Sequence, residues 1–199
     1  MTTFQKAAAA GLLALVAGSV RSHAVEMKVS RQALERTLQQ QLFGGADGRY
    51  YVKGNPQSPC FTYAEDPQLT FVQDRIVVKV KTHSRLGTRL GGSCIGLSVS
   101  VPAEVSLAPD AEGETIGFRD ARLDHVSDQK ELNFILNPFL SRQVPSHMKV
   151  NAADLLRKAL EGSTAAAGYK VTLDRLKVHS IQIAGDYLVV DVDGDLSVK

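Results

Sequence analysis

Four things are scarce in this 199-residue chain: a charge excess, long apolar runs, cysteine, and repeated or low-complexity sequence. The 23 basic and 21 acidic residues nearly cancel. No broad field is therefore present to attract nucleic acid, which is not an expected partner. A membrane-spanning helix needs about 20 apolar residues in succession. The run Ala7–Gly18 is far shorter, and no later stretch is uniformly apolar over that length, so no transmembrane segment is expected after the leader. Nothing divides residues 25–199, whose length is ordinary for one domain with a sizeable core.

What is present begins with Lys6, the apolar run from Ala7, and Ser22-His23-Ala24. A basic flank, an apolar run and a small-x-Ala site make a secretory signal. The reading is a cleavable signal over 1–24 followed by a single soluble domain over 25–199. Its removal takes away Lys6 and Arg21 and no acid, which leaves the domain neutral. No cysteine follows the apolar run to carry a lipid. The expected location is periplasmic, with an extracellular one as the alternative. In an oxidising compartment an even cysteine count favours a Cys60–Cys94 disulfide over two buried thiols. Its 33 intervening residues correspond to about 3 to 4 kcal/mol in the chain-entropy picture.

Ser30 is a good N-cap, with Val29 and Leu34 at staple positions and Gly44 where a C-terminal glycine belongs. The spacing predicts a helix with the stripe Leu34, Leu38, Leu42. Glycines and prolines then make 44–59 a loop. A half-buried strand follows at Ile76–Lys81, and Lys79, Lys81, His83, Arg85 and Arg89 read as a wet strand face. The strongest signal is Ile95, Leu97, Val99, Val101, Ala103, Val105, Leu107, apolar at every second position. Such a strand spans about 40 Å and must twist and curl. Pro102 within it indicates an edge position or a bulge.

Thr115–Val126 reads as a strand whose apolar parity shifts, so a bulge is expected near Arg119–Asp120. The stripe Leu132, Ile135, Leu136, Phe139, Leu140, Val144 is helical, broken at Pro138 into a kink or two helices, with Asn137 capping the second. Asn151 starts a further helix with Val150 and Leu155 as a staple. Its expected core side is Leu155, Leu156, Ala159 and Leu160, and its end Gly162. Val171–Val198 forms a long bulged hairpin around Gly185-Asp186. Strands, helices and hairpin in this order belong to the α+β class.

Several constellations have blander explanations. Gly92-Ser93-Cys94-Ile95-Gly96 has the glycine spacing of a nucleophile elbow but lacks the strand before and helix after it. Asp124, His125 and Ser127 have triad residue types, yet neighbours on a strand point to opposite faces. His83, His147 and His179 stand alone. Asp191, Asp193 and Asp195 resemble half a calcium loop, although alternation places them on one wet strand face. No catalytic residue, metal or cofactor is expected.

The opening helix Val29–Leu38, the long strand, the Leu132–Val144 helix and the ending Leu176-Lys-Val-His-Ser-Ile-Gln-Ile together resemble the tubular lipid-binding (TULIP) superfamily, and within it the small YceB-like bacterial envelope proteins. The resemblance implies a long coiled antiparallel sheet wrapped around helices, as in TULIP and SMP domains. It also implies an apolar groove holding a lipid or similar hydrophobic molecule. The expected lining is Leu38, Leu97, Val99, Val101, Phe118, Phe134, Leu136, Phe139 and Leu140. The alternative is a non-catalytic envelope interaction module with a dry core, working through a strand edge or the 44–60 loop and a protein partner.

Overall fold

Residues of period two become strands and residues of period near four become helices, in an α+β arrangement. The computed structural model describes residues 25–123, 130–167 and 170–198. The expected signal over 1–24 and the Asp124, His125, Ser127 set lie outside the described residues. The order is β1 (Val25–Ser30), α1 (Arg31–Leu42), β2 (Tyr50–Lys53), β3 (Phe61–Val72), β4 (Arg75–Leu90), β5 (Ser93–Glu112) and β6 (Thr115–Leu123). Then come α2 (Lys130–Pro138), a π turn (Phe139–Gln143), α3 (Val144–His147), β7 (Val150–Asn151), α4 (Ala152–Ala167), β8 (Val171–Ala184) and β9 (Tyr187–Val198). A six-stranded sheet runs β2-β3-β4-β5-β6-β7 and a three-stranded one β1-β9-β8. Every pairing is antiparallel.

The long sheet curls through bulges. On β6 the extra residue is Asp120, at φ 50°, where the register slips between Ser106 and Ala108 of β5. The parity shift in sequence is this bulge. Another interrupts β3 between Glu65 and Gln68, with Asp66 at φ 52° and Pro67 excused from the ladder. Helix α1 repairs the adjoining backbone: Leu69 N donates to Glu35 Oε2 at 2.9 Å, and Arg31 Nη1 donates to Leu69 O at 3.3 Å. The terminal hairpin has two register shifts, matching its broken alternation. Pro102 sits in β5 where β4 pairs on one side and β6 has already ended, at the Val105–Leu123 pair. It occupies an edge among the described residues.

Ser30 caps α1, its Oγ accepting from Ala33 N at 3.2 Å, and the Leu34, Leu38, Leu42 stripe is buried. Gly44 is needed for closeness: a Cβ there would lie 2.4 Å from Gln40 O. The expected loop over 44–59 contains β2, paired with β3. The next helix is interrupted at Pro138, where α2 gives way to the π turn and then to α3. Asn137 lies inside α2 instead of capping a second helix, its carbonyl accepting from Ser141 Oγ, and the π turn absorbs the irregularity. Asn151 does cap α4, with Asp154 N donating to its Oδ1 at 3.0 Å. The staple does not form, because Leu155 is exposed; Ala159 is exposed too. Ala152, Ala153, Leu156 and Leu160 face inward instead, and α4 continues through Gly162 to Ala167. The core lies between the long sheet, α1 and the α2–α3 segment, with the inner face of the terminal hairpin joining it.

Candidate functional site

The inner face of β5 is covered along only part of its length. Ala103, Val105 and Leu107 are buried, Val99 and Val101 half-buried, and Leu97 and Ile95 reach 45% and 59% exposure. Register carries this gradient across to β4. Val80 and Val78, opposite Ala103 and Val105, are buried, while Leu86, opposite Leu97, is half-buried. Thr62, Ser84 and Thr82 form the intermediate rows on this face. They are buried and mutually satisfied: Ser84 Oγ donates to Thr62 Oγ1 at 3.1 Å and Thr82 Oγ1 to Val101 O at 2.7 Å.

Between α2, the π turn and β2 lies an open groove of about 500 Å³, within the range of small-molecule sites. Its walls are Tyr50, Val52, Phe134, Ile135, Pro138 and Phe139; Lys53, Arg142 and Gln143 form the rim. Tyr50 stacks on Phe139 at 5.0 Å, which fixes the floor. Phe134 stands at the mouth, 81% exposed. No carboxylate lines the groove among the described residues, whereas Lys53 and Arg142 supply positive charge. A second groove of about 560 Å³, bordered by Arg157, Leu160, Glu161, Lys170 and Val171–Leu173, touches none of the expected lining residues.

Of the nine expected lining residues, Phe134 and Phe139 meet in the groove. Leu38, Phe118, Leu136 and Leu140 pack in the core, and Leu97, Val99 and Val101 lie on the less covered sheet face. Sequence reasoning missed Tyr50 and Val52. The signal available was Tyr50-Tyr51-Val52, a strand-forming run among glycines and prolines.

The outer face of the same sheet is polar and aromatic. Tyr51, Tyr63 and His83 form a ladder across β2, β3 and β4, with ring centroids 5.6 and 5.0 Å apart, and Phe61 stacks beside Tyr63. Glu65 ties His83 to Arg49: Arg49 Nε lies 3.0 Å from it, the guanidinium sitting over the Tyr63 ring, and His83 Nε2 lies 2.9 Å away. The Glu65 carboxylate, then the Tyr51 hydroxyl, raise the Arg49 guanidinium further above its ordinary value. Burial first, then the Glu65 charge, push the Tyr63 phenol up. The expected wet face is thus present, and most of its cations are paired: Lys79 with Glu104 and Lys81 with Asp66.

Cys60 and Cys94 are joined, with Cα atoms 5.1 Å apart. The bridge crosses the outer side of β4, Cys60 Sγ lying 3.7 Å from Gly87 O. Beneath it Gly87 and Gly96 face each other; a Cβ on either would lie about 2 Å from backbone oxygen of the opposite strand, 2.1 Å for Gly87 and 2.0 Å for Gly96. The disulfide removes Cys94 as a free nucleophile. His83 and His179 are engaged, the latter with Asp193 at 2.6 Å, and His147 Nδ1 lies 2.8 Å from Gln143 O. Asp191 accepts from Ser180, and Asp195 pairs with Arg175. Among the described residues no group of three His, Cys, Asp or Glu side chains is placed to hold a metal, and no helix is long and apolar enough to cross a membrane.

No protein-family model matches the chain, and no curated protein matches it in sequence. Among solved structures it is similar to the crystal structure of lipopolysaccharide binding protein, at 12% identity over 86% of this chain and 50% of that one, with a TM-score of 0.32. The chain thus spans half the length of that protein, and a likeness this loose assigns neither family nor ligand.

Proposed function

We propose that the protein is a non-catalytic carrier or sequestering protein for a lipid or similar apolar molecule, seated between β2 and α2. The observation that carries this reading is Phe134, 81% exposed at the mouth of a groove of about 500 Å³ floored by Tyr50 and Phe139. Together with Tyr50, Val52, Ile135, Pro138 and Phe139 the ring makes a contiguous apolar surface, of the kind that marks a binding groove. Each methylene removed from water there contributes about 0.8 kcal/mol, so part of one acyl chain gives useful affinity. Lys53 and Arg142 on a rim free of carboxylates favour a ligand with an acidic head. Leu97, Val99 and Val101 offer further apolar surface for a longer chain, while Leu38, Phe118, Leu136 and Leu140 belong to the packed core. Kinship with the tubular lipid-binding proteins and their YceB-like members belongs to the same proposal. So do export through residues 1–24, a single domain over 25–199 and a periplasmic location; the disulfide suits an oxidising compartment.

Native mass spectrometry of protein purified gently from its own envelope tests the reading. A co-purifying fatty acid or phospholipid is expected, reduced about tenfold by Phe134→Asp, which disturbs no buried contact. An empty protein that also fails to take up a fluorescent fatty acid would remove the carrier reading.

A further inference from the structure

The β4–β5 hairpin tip has two unlike faces. Leu86, Leu90, Ile95 and Leu97 share the inner face by register, and Leu90 and Ile95 are 65% and 59% exposed. The opposite face carries Arg85 and Arg89. Further along that face each basic side chain meets an acid: Lys79 meets Glu104, Lys81 meets Asp66 and His83 meets Glu65. Among the described residues neither Arg85 nor Arg89 has a carboxylate partner. The sequence holds no Asp or Glu from Arg75 to Ala103, so the hairpin supplies no acid of its own until Glu104.

We infer that this tip docks the protein on the surface of an anionic lipid bilayer. Leucine and isoleucine would enter the headgroup boundary while the two arginines contact lipid phosphates. Entry is shallow, because the backbone edges outside the β4–β5 pair need water or headgroups as partners. The Gly91-Gly92 turn, at φ 54° and 80°, ends the tip without a bulky side chain. The disulfide ties Cys94, one pair from the turn, to Cys60 just before β3, so the tip meets the surface already shaped. Charge complementarity selects the occupant: a neutral protein groove would match the leucines but not two arginines without carboxylate partners, Arg85 lying only over the Phe61 ring, in a tip that holds no acid. The inference stands apart from the carrier reading, since docking needs no occupied groove.

Flotation of the purified protein with vesicles tests it. Binding to phosphatidylglycerol–phosphatidylcholine vesicles is expected to exceed that to pure phosphatidylcholine about tenfold and to fall as salt rises. Leu90→Asn with Ile95→Asn, and separately Arg85→Gln with Arg89→Gln, should each lower it about tenfold, whereas Lys158→Gln on α4 leaves it unchanged. Melting temperatures near that of the parent confirm that the variants fold. Equal binding to both vesicle types, no binding, or variants that bind like the parent would overturn the inference. So would a dimer in sedimentation that Leu90→Asn with Ile95→Asn abolishes, which would make a second copy the occupant. The lipid content of the tip variants by native mass spectrometry reports on the groove alone, so either idea can fail without the other.

Discussion

The two halves of β5 have the same sequence pattern and opposite surroundings. From Ala103 to Leu107 every second side chain is buried, while from Ile95 to Leu97 the same inner-face alternation stays exposed. Alternation therefore reports which face is apolar, and it does not report what covers that face. Cover depends on which elements pack against the sheet, and those that touch β5, with β8 and the π turn among them, leave Ile95 and Leu97 exposed.

Substitutions can sharpen this contrast. Leu107→Ala should lose about 2 to 5 kcal/mol, as large-to-small changes in a packed core do. Leu97→Ala, ten positions away on the same face, should stay within about 0.5 kcal/mol; urea melts of the two variants measure the difference. Equal losses would mean that the tip is covered in solution. Replacing Cys60 and Cys94 together by Ser should cost about 3 to 4 kcal/mol in the chain-entropy picture, and hydrogen exchange should then rise at the tip before it rises near Val105. Gly96→Ala brings a methyl group against Leu86 O and should cost about 1 to 3 kcal/mol, whereas an alanine at Gly92 meets open space and bears only the strain of its positive φ.

The smallest effect concerns acid. Hydrogen bonds from Arg122, then Arg75, hold the Asp120 carboxyl below its ordinary value. A group lowered in the folded state adds stability above its unfolded value, near about 3.9, and that stability disappears as pH falls through the folded value. Melting temperature should therefore drop more steeply below about pH 4 in the parent than in Asp120→Asn.

Much of the architecture was legible where a side chain advertises its role locally. Ser30 and Asn151 cap helices as read, the parity shift marks the Asp120 bulge, and the terminal hairpin has its bulges where its alternation breaks. β3 was invisible for a physical reason. Its buried positions include Thr62 and Ala64, too polar or too small to register as an apolar row, and the bulge at Asp66-Pro67 reverses the parity before Leu69. Tyr50 and Val52 became groove walls only through β2 pairing with β3 and Tyr50 meeting Phe139, a contact across 89 positions of chain that no local pattern encodes. Phe134 was legible as apolar, and its exposure was not. Two residues past Leu132, at 100° each, it lies on the far side of the helix from the buried stripe.

Arg75 opens β4 with its side chain only 15% exposed. It donates to the hydroxyl and carbonyl of Ser106 and to the carboxylate and carbonyl of Asp120. These acceptors come together only in the observed alignment of β5 with β6. Slide that pair by one position and a nearly enclosed cation loses its acceptors, a penalty larger than a flat sheet imposes on misalignment. A single side chain thus proofreads the closure of the curled sheet.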